Sequence, residues 1–256
     1  MSRHNGGLIG PFTQTSSSSA PGVWSANDAA ARLSQGGYFD GWPGPADANF
    51  ASVVFLTHFD PYPGLNGFYN VVNSATTLQC SGAGYPIFGT AKFGTHGFAC
   101  GWLRQNISGV GFGTGDWTIE GWSRVTSTAS AQCYADMRPP STNGAYPTIY
   151  TNGTDLVFHQ NGSDQITGSG VVVTGAWKHW AAARAGTSTK LYYDGSQVGS
   201  TYSDSNNYGG NDLWFGNSAF TNLQVLGYMD EIRVTKGVAR YTGASYTIPT
   251  APFPDR

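Results

Sequence analysis

Asn152-Gly153, Asn161-Gly162 and Asp194-Gly195 each stand between short runs rich in β-branched and aromatic residues. Asx-Gly pairs supply the positive φ that a tight hairpin turn demands, so each pair predicts two antiparallel strands folded back on one another. The runs themselves alternate. In 116–125 (DWTIEGWSRV), Trp117, Ile119 and Val125 share one parity, while Thr118, Glu120 and Arg124 share the other. Further strands are expected at 52–59, 148–150, 155–159, 177–184, 190–193, 196–201, 212–216 and 226–235. Strands and helices do not alternate, and no helix longer than two turns is expected after residue 50. The pattern is that of an all-β antiparallel sandwich.

Composition agrees and excludes several partners. Gly (36), Tyr (14), Phe (14) and Trp (8) are abundant, whereas charged residues make up 11% and the glutamates are Glu120 and Glu231 alone. A chain of 256 residues buries roughly three quarters of its unfolded surface, enough for one large β domain. The net charge of −2 is spread thinly. It forms neither the basic stripe that nucleic acid needs nor the Lys/Arg-rich amphipathic helix that suits a membrane surface, so neither partner is expected. Apolar runs are shorter than a membrane span, and the first 20 residues lack a signal peptide's apolar core. So few charges leave a surface poorly soluble unless neighbours cover part of it, which points to a homo-oligomer or symmetric array. Cys80, Cys100 and Cys133 show no metal spacing. Cys80 and Cys100 either pair or stay thiols, and free thiols suit a reducing cytoplasm.

Residues 1–50 read differently. Gly6-Gly7-Leu8-Ile9-Gly10-Pro11, the serine run 16–19 and Gly22-Val23-Trp24-Ser25 hold apolar anchors without enough of them to make a core. Ser25 with Asp28 can start a helix of two turns, too short to stand alone. The expected organisation is an anchoring arm, 1–50, followed by a folded domain, 51–256. Leu8, Ile9, Val23 and Trp24 are the candidate partner-anchoring residues.

Several segments, in order, resemble the laminin-G-like/concanavalin A-like jelly rolls of phage and bacterial proteins. Phe55-Leu-Thr-His-Phe-Asp60 is similar to their opening strand, and Lys92-Phe93-Gly94 to their KFG step. Phe112-Gly-Thr-Gly-Asp-Trp-Thr-Ile-Glu-Gly-Trp122 resembles FGTGDFTIEFW, Trp177-Lys178-His179 resembles WHH, and Leu191-Tyr-Tyr-Asp-Gly195 resembles LYVDG. The stretch 227–241 (GYMDEIRVTKGVARY) and the ending Ile248-Pro-Thr-Ala-Pro-Phe253 complete the series. The resemblance runs from about residue 52 onward and implies a two-sheet jelly roll. Trp117, Trp122, Trp177 and Phe215 are then expected between the sheets, and Glu231 and Arg233 as strand-surface salt links. The first fifty residues resemble the leaders of virion proteins of marine tailed phages, which precede varied C-terminal modules.

Relatives of this fold include glycoside hydrolases, whose carboxylates sit at i, i+2 and i+4 on one strand. Here Glu120 is followed by Trp122 and Arg124, and Glu231 is preceded by Met229, so no catalytic residues are assigned. No Gly-x-Ser-x-Gly elbow occurs, and His58, His96, His159 and His179 stand apart from one another. The loop 201–212 (TYSDSNNYGGND) carries Asp204, Asn206, Asn207 and Asp212, an oxygen-rich set to weigh for calcium. Tyr208 occupies a ligand position and no closing Glu follows, so a polar turn is favoured and no cofactor is expected. In the same loop Tyr202, Asn206, Asn207 and Tyr208 are the glycan-binding candidates, combining aromatic faces with amides. The resemblances together imply a phage virion structural protein, displayed on the particle and held to other virion proteins by its arm. The alternative is a carbohydrate-binding adhesin recognising host surface glycans, and an inactive hydrolase ranks third.

Overall fold

The computed structural model describes residues 46–60, 69–73, 78–81, 85–99 and 101–255. They fall in one compact unit, Ala46–Arg256. The candidate anchors Leu8, Ile9, Val23 and Trp24, the helix expected after Ser25, and Cys100 lie outside the described residues.

The strands are β1 (Val53–Thr57), β2 (Gln79–Ser81), β3 (Tyr85–Phe88), β4 (His96–Ala99), β5 (Trp102–Asn106), β6 (Trp117–Val125), β7 (Gln132–Asp136) and β8 (Thr148–Asn152). There follow β9 (Asp155–Gln160), β10 (Ser163–Gly168), β11 (Lys178–Ala185), β12 (Ser188–Tyr193), β13 (Ser196–Ser203), β14 (Asp212–Phe215) and β15 (Gly227–Lys236). Two single turns of 3-10 helix, Phe50–Ser52 and Val71–Asn73, are the helical elements among the described residues. One sheet runs β13-β12-β11-β6-β15-β4-β3, with β1 also pairing β15; the other runs β10-β9-β8-β7-β14-β5-β2. The pairings are antiparallel throughout.

Local sequence explains the hairpins. Asn161-Gly162 (φ 50° and 76°) joins β9 to β10, and Asp194-Gly195 (φ 50° and 83°) joins β12 to β13. Positive φ at both central residues makes these two-residue turns, matched to strand twist. The third turn sits one residue later than its Asx-Gly pair. Asn152 pairs with Asp155, leaving Gly153-Thr154 at the tip.

The sheets meet across aromatic side chains of opposite strands. Phe55 stacks on Phe215 at 5.0 Å, Trp117 lies 5.9 Å from Phe158, and Tyr134 lies 5.4 Å from Trp180. Gly121, at the centre of β6, is required because a Cβ there would collide with Ile232 and Trp180. Two expected core residues are elsewhere. Trp122 is buried, but on the outer parity of β6, against Phe93 and His179. Trp177, just before β11, is only half-buried and packs against Arg124. Composition does not tell these from core tryptophans, but position does: Trp122 shares the outer parity of Thr118, Glu120 and Arg124, and Trp177 precedes β11.

Cys80 and Cys133 carry free thiols. Burial pushes Cys80 up to about 12 and also raises Cys133 well above the ordinary thiol value. Neither is poised as a nucleophile.

Candidate functional site

The outer face of the first sheet holds the carboxylate an enzyme would need, but fully enclosed. Glu120 Oε1 accepts from Arg233 Nε at 2.9 Å, and Oε2 accepts from the Tyr241 hydroxyl at 2.6 Å. His179 Nε2 stands 3.4 Å from Glu120, and its Nδ1 faces the Tyr246 hydroxyl at 2.6 Å. Asp47 then bridges Arg240 (2.6 Å) and Arg233 (3.2 Å). Glu120 and His179 are both 0% exposed. Burial alone would push the Glu120 carboxyl up, but the Arg233 guanidinium, with His179 and Tyr241, reverses this and holds it at about 2. The chain after β15 closes the face. Tyr241 and Tyr246 stack at 3.6 Å beside Tyr192, and Phe253 lies 3.9 Å from the Arg233 guanidinium.

Glu231 and Arg233 are therefore buried links rather than surface ones. A bulge between Asp230 and Arg233 puts Glu231 at φ 51° and re-aims its side chain. Its Oε1 faces His58 Nδ1 at 2.8 Å, and its Oε2 accepts from the Phe253 N–H at 2.8 Å. The histidines that stand apart in sequence thus acquire partners in space.

The recurrent motif pieces form a clamp. Asp230 Oδ2 accepts from the Lys92 and Phe93 N–H groups at 2.7 and 3.0 Å. Asp60 Oδ1 accepts from the Thr95 and His96 N–H groups at 2.8 and 2.7 Å. Gly94 (φ 69°) admits the Asp60 carboxylate where a side chain would otherwise stand. The FD, KFG and DEIR segments hold one another, and this fixes the loop before β4. Burial, with the Glu231 charge beside it, raises Asp230 well above the carboxylate range.

The loop 201–212 does not present the expected ligand set. Tyr208 is 0% exposed, edge-on to Trp117 at 6.0 Å, and its hydroxyl donates to Asp204 Oδ2 at 2.7 Å. No face of it can meet a sugar, which corrects its candidacy. Asp204 is equally enclosed: Thr189 donates to Oδ2, and the Asn206 N–H and side-chain amide donate to Oδ1. Tyr202 and Asn206 are half-buried and bonded to each other at 3.2 Å, leaving Asn207 as the exposed member of the four. Asp212 turns away to Arg104 at 2.8 Å. The loop is a polar knot closed on the core. Among the described residues no group of three or more His, Cys, Asp or Glu could hold a metal ion.

A different surface is assembled on the second sheet. Its register places Asp164, His159, Thr148, Asp136, Trp214, Arg104 and Gln79 side by side, one from each strand. At roughly 4.8 Å per strand the row is on the order of 30 Å long. Its centre is sealed. Arg138 donates to both Asp136 oxygens at 2.9 Å, and Thr148 and Ser218 donate to the same carboxylate. The two ends are open. At one, Trp102 meets Trp214 edge-on at 5.1 Å, and Arg104, held by Asp212, lies 4.9 Å from the Trp214 ring. Trp102 and Arg104 are half-buried, Trp214 is buried, and Asn106 and Gln79 are exposed. At the other, His159 faces Asp164 at 2.8 Å and Asn143 at 3.2 Å, and the Tyr150 hydroxyl donates to Asp164. Sequence reasoning missed this face, because its members come from seven strands spread over residues 79–214.

Residues 104–239 match the family model of the concanavalin A-like lectin/glucanases superfamily. The chain belongs to that superfamily. No curated protein matches it in sequence. Among solved structures, it is similar to domain 4 of an extracellular arabinanase from Geobacillus stearothermophilus, solved with arabinotriose. That match has 14% identity and a TM-score of 0.52, covering 73% of this chain and 94% of that one. It is also similar to the binding domain of botulinum neurotoxin serotype D/C, at 11% identity and a TM-score of 0.51, over 75% of this chain and 50% of that one. A Trypanosoma rangeli sialidase matches at 9% identity and a TM-score of 0.51, over 73% of this chain and 31% of that one. The chain thus spans half the length of the neurotoxin domain and less of the sialidase. At these identities the likeness is one of fold, and the jelly roll expected from sequence is the fold observed.

Proposed function

We propose that this jelly roll is a non-catalytic carbohydrate-binding domain that engages glycans along the outer face of its second sheet. The observation that carries the reading is the open end where Trp102 and Arg104 stand against buried Trp214. The half-buried Trp102 indole packed on buried Trp214, a guanidinium fixed by Asp212 and the nearby amides of Asn106 and Gln79 combine a ring surface with planar hydrogen-bonding groups. Sugars need both, an apolar surface for their C–H faces and fixed polar groups for their hydroxyls. The non-catalytic reading is supported by Glu120 and Glu231, whose carboxylates are enclosed and occupied by protein donors. Glycan-array screening of the whole chain is expected to give reproducible hits. Trp102→Ala is expected to weaken them at least tenfold, about 1.4 kcal/mol, while leaving the melting temperature nearly unchanged. Binding that survives Trp102→Ala and Arg104→Ala together would move the site elsewhere.

Display on a virion is a second proposal, supported by the resemblance of the first fifty residues to phage leaders. Its test must respect the sandwich. Asp47 pairs with Arg233 and Arg240, and Phe50 packs with Val53, Leu56 and Phe253. A chain starting at Ala46 is expected to stay folded yet fail to enter the particle, and Trp24→Ala to weaken entry. Efficient incorporation of the shortened chain would sink the anchoring role.

A further inference from the structure

The described cations divide unevenly. Arg104, Arg138, Lys178, Arg184, Arg233 and Arg240 face carboxylates, and Lys190 and Lys236 donate to backbone carbonyls. Among the described residues, the side chains of Lys92 and Arg124 have neither kind of partner. Both lie against aromatic rings on the outer face of the first sheet.

Arg124 lies 4.7 Å from the Tyr228 ring and 5.6 Å from the Trp177 ring. Strand register explains the contact, since Tyr228 of β15 pairs directly with Arg124 of β6. Lys92 Nζ lies 4.3 Å from the ring of Trp122, the preceding outward residue of β6. Outward residues on one strand are roughly 7 Å apart, so one bound ring can reach both charges. Apolar surface adjoins them. Thr126 N–H donates to Leu226 O, and Gly175 N–H donates to Val125 O, which brings exposed Leu226 and the neighbourhood of exposed Val173 to this end of β6. Neither ring offers a hydrogen-bond acceptor, so the guanidinium N–H fork is left for an incoming acceptor, and that fork pairs bidentately with a carboxylate.

We propose that Lys92, Arg124, Trp177 and Tyr228 form a second carbohydrate subsite, specific for a sugar that carries a carboxylate. Arg124 takes the carboxylate through its N–H fork, Lys92 adds a second positive charge, and the half-buried rings and exposed aliphatic side chains meet the sugar's apolar face. The subsite is independent of the second-sheet face, and the two fail separately under substitution.

The test is calorimetric titration of the whole chain with methyl glucuronide and N-acetylneuraminic acid, against methyl glucoside and inorganic sulfate. At least one sugar acid is expected to bind saturably, with methyl glucoside and sulfate at least tenfold weaker. Arg124→Gln is expected to weaken the acid at least tenfold and Arg124→Lys to recover only part of the loss, because lysine lacks the planar fork. Trp102→Ala is expected to leave this binding unchanged. Arg124 is half-exposed, so circular dichroism and melting of the variants should match the parent. No sugar-acid binding, binding of sulfate as tight as the acid, or binding unaltered in Arg124→Gln would each overturn the subsite.

Discussion

Replacing Glu120 by glutamine is expected to cost about 3–5 kcal/mol, the range for breaking a buried ion pair by removing one partner. Against a total of about 5–15 kcal/mol for a domain, that is enough to shift the urea midpoint far or to leave the protein partly unfolded. The reason is local. Arg233, Tyr241 and His179 converge on one carboxylate that is 0% exposed, and Asp47, which already bridges Arg233 and Arg240, does not supply the lost charge. Acid should do what the substitution does. The folded carboxyl titrates at about 2 against an ordinary 4.5, so its contribution is present in full above the ordinary value and is lost as pH falls toward 2. The wild type should therefore lose stability steeply between those values, and Glu120→Gln should show a flatter acid limb. A urea midpoint unmoved in Glu120→Gln would mean that the network contributes little. Robust polysaccharide hydrolysis by the wild type, abolished by Glu120→Gln or Glu231→Gln, would instead overturn the non-catalytic reading.

Ending the chain at Arg240 is expected to be at least as damaging. Tyr241, Tyr246 and Phe253 cover the outer face of the first sheet against Tyr192, His179 and Leu56. Burying such side chains is worth roughly 1.5–3 kcal/mol each. Removal also strips Glu120 of its Tyr241 partner and leaves Glu231 without the Phe253 N–H. Aggregation or a melting temperature lowered by well over ten degrees is the expected result in thermal scanning. A shift of only a few degrees would show that the segment lies on the sheet without holding it.

Trp102→Ala and Arg124→Gln probe surfaces instead, and neither should approach these stability effects. The contrast separates the carboxylates that hold the sandwich together from the aromatic ends proposed to meet sugars.

What the sequence determined by itself is what short-range physics controls. Asn161-Gly162 and Asp194-Gly195 specify their turns because only a few residues tolerate positive φ. The alternation in 116–125 specifies a strand with Trp117 and Ile119 inward. The order of the motif pieces pointed to the jelly roll. Strands such as β2, β4 and β7, with little alternation of their own, were not legible, since they are strands only by virtue of their neighbours. Tertiary structure decided the rest. It turned Tyr208 from a ring in a polar loop into a side chain packed on Trp117, and Asp204 into its partner. It made one clamp of Asp60, Lys92, Phe93, Gly94 and Asp230. It set Trp102, Arg104 and Trp214 side by side from strands more than a hundred residues apart, and left Arg124 against the rings of Trp177 and Tyr228. Each of these depends on which strand pairs with which and in what register. A one-residue slip reverses every face, and a linear chain does not carry that choice locally.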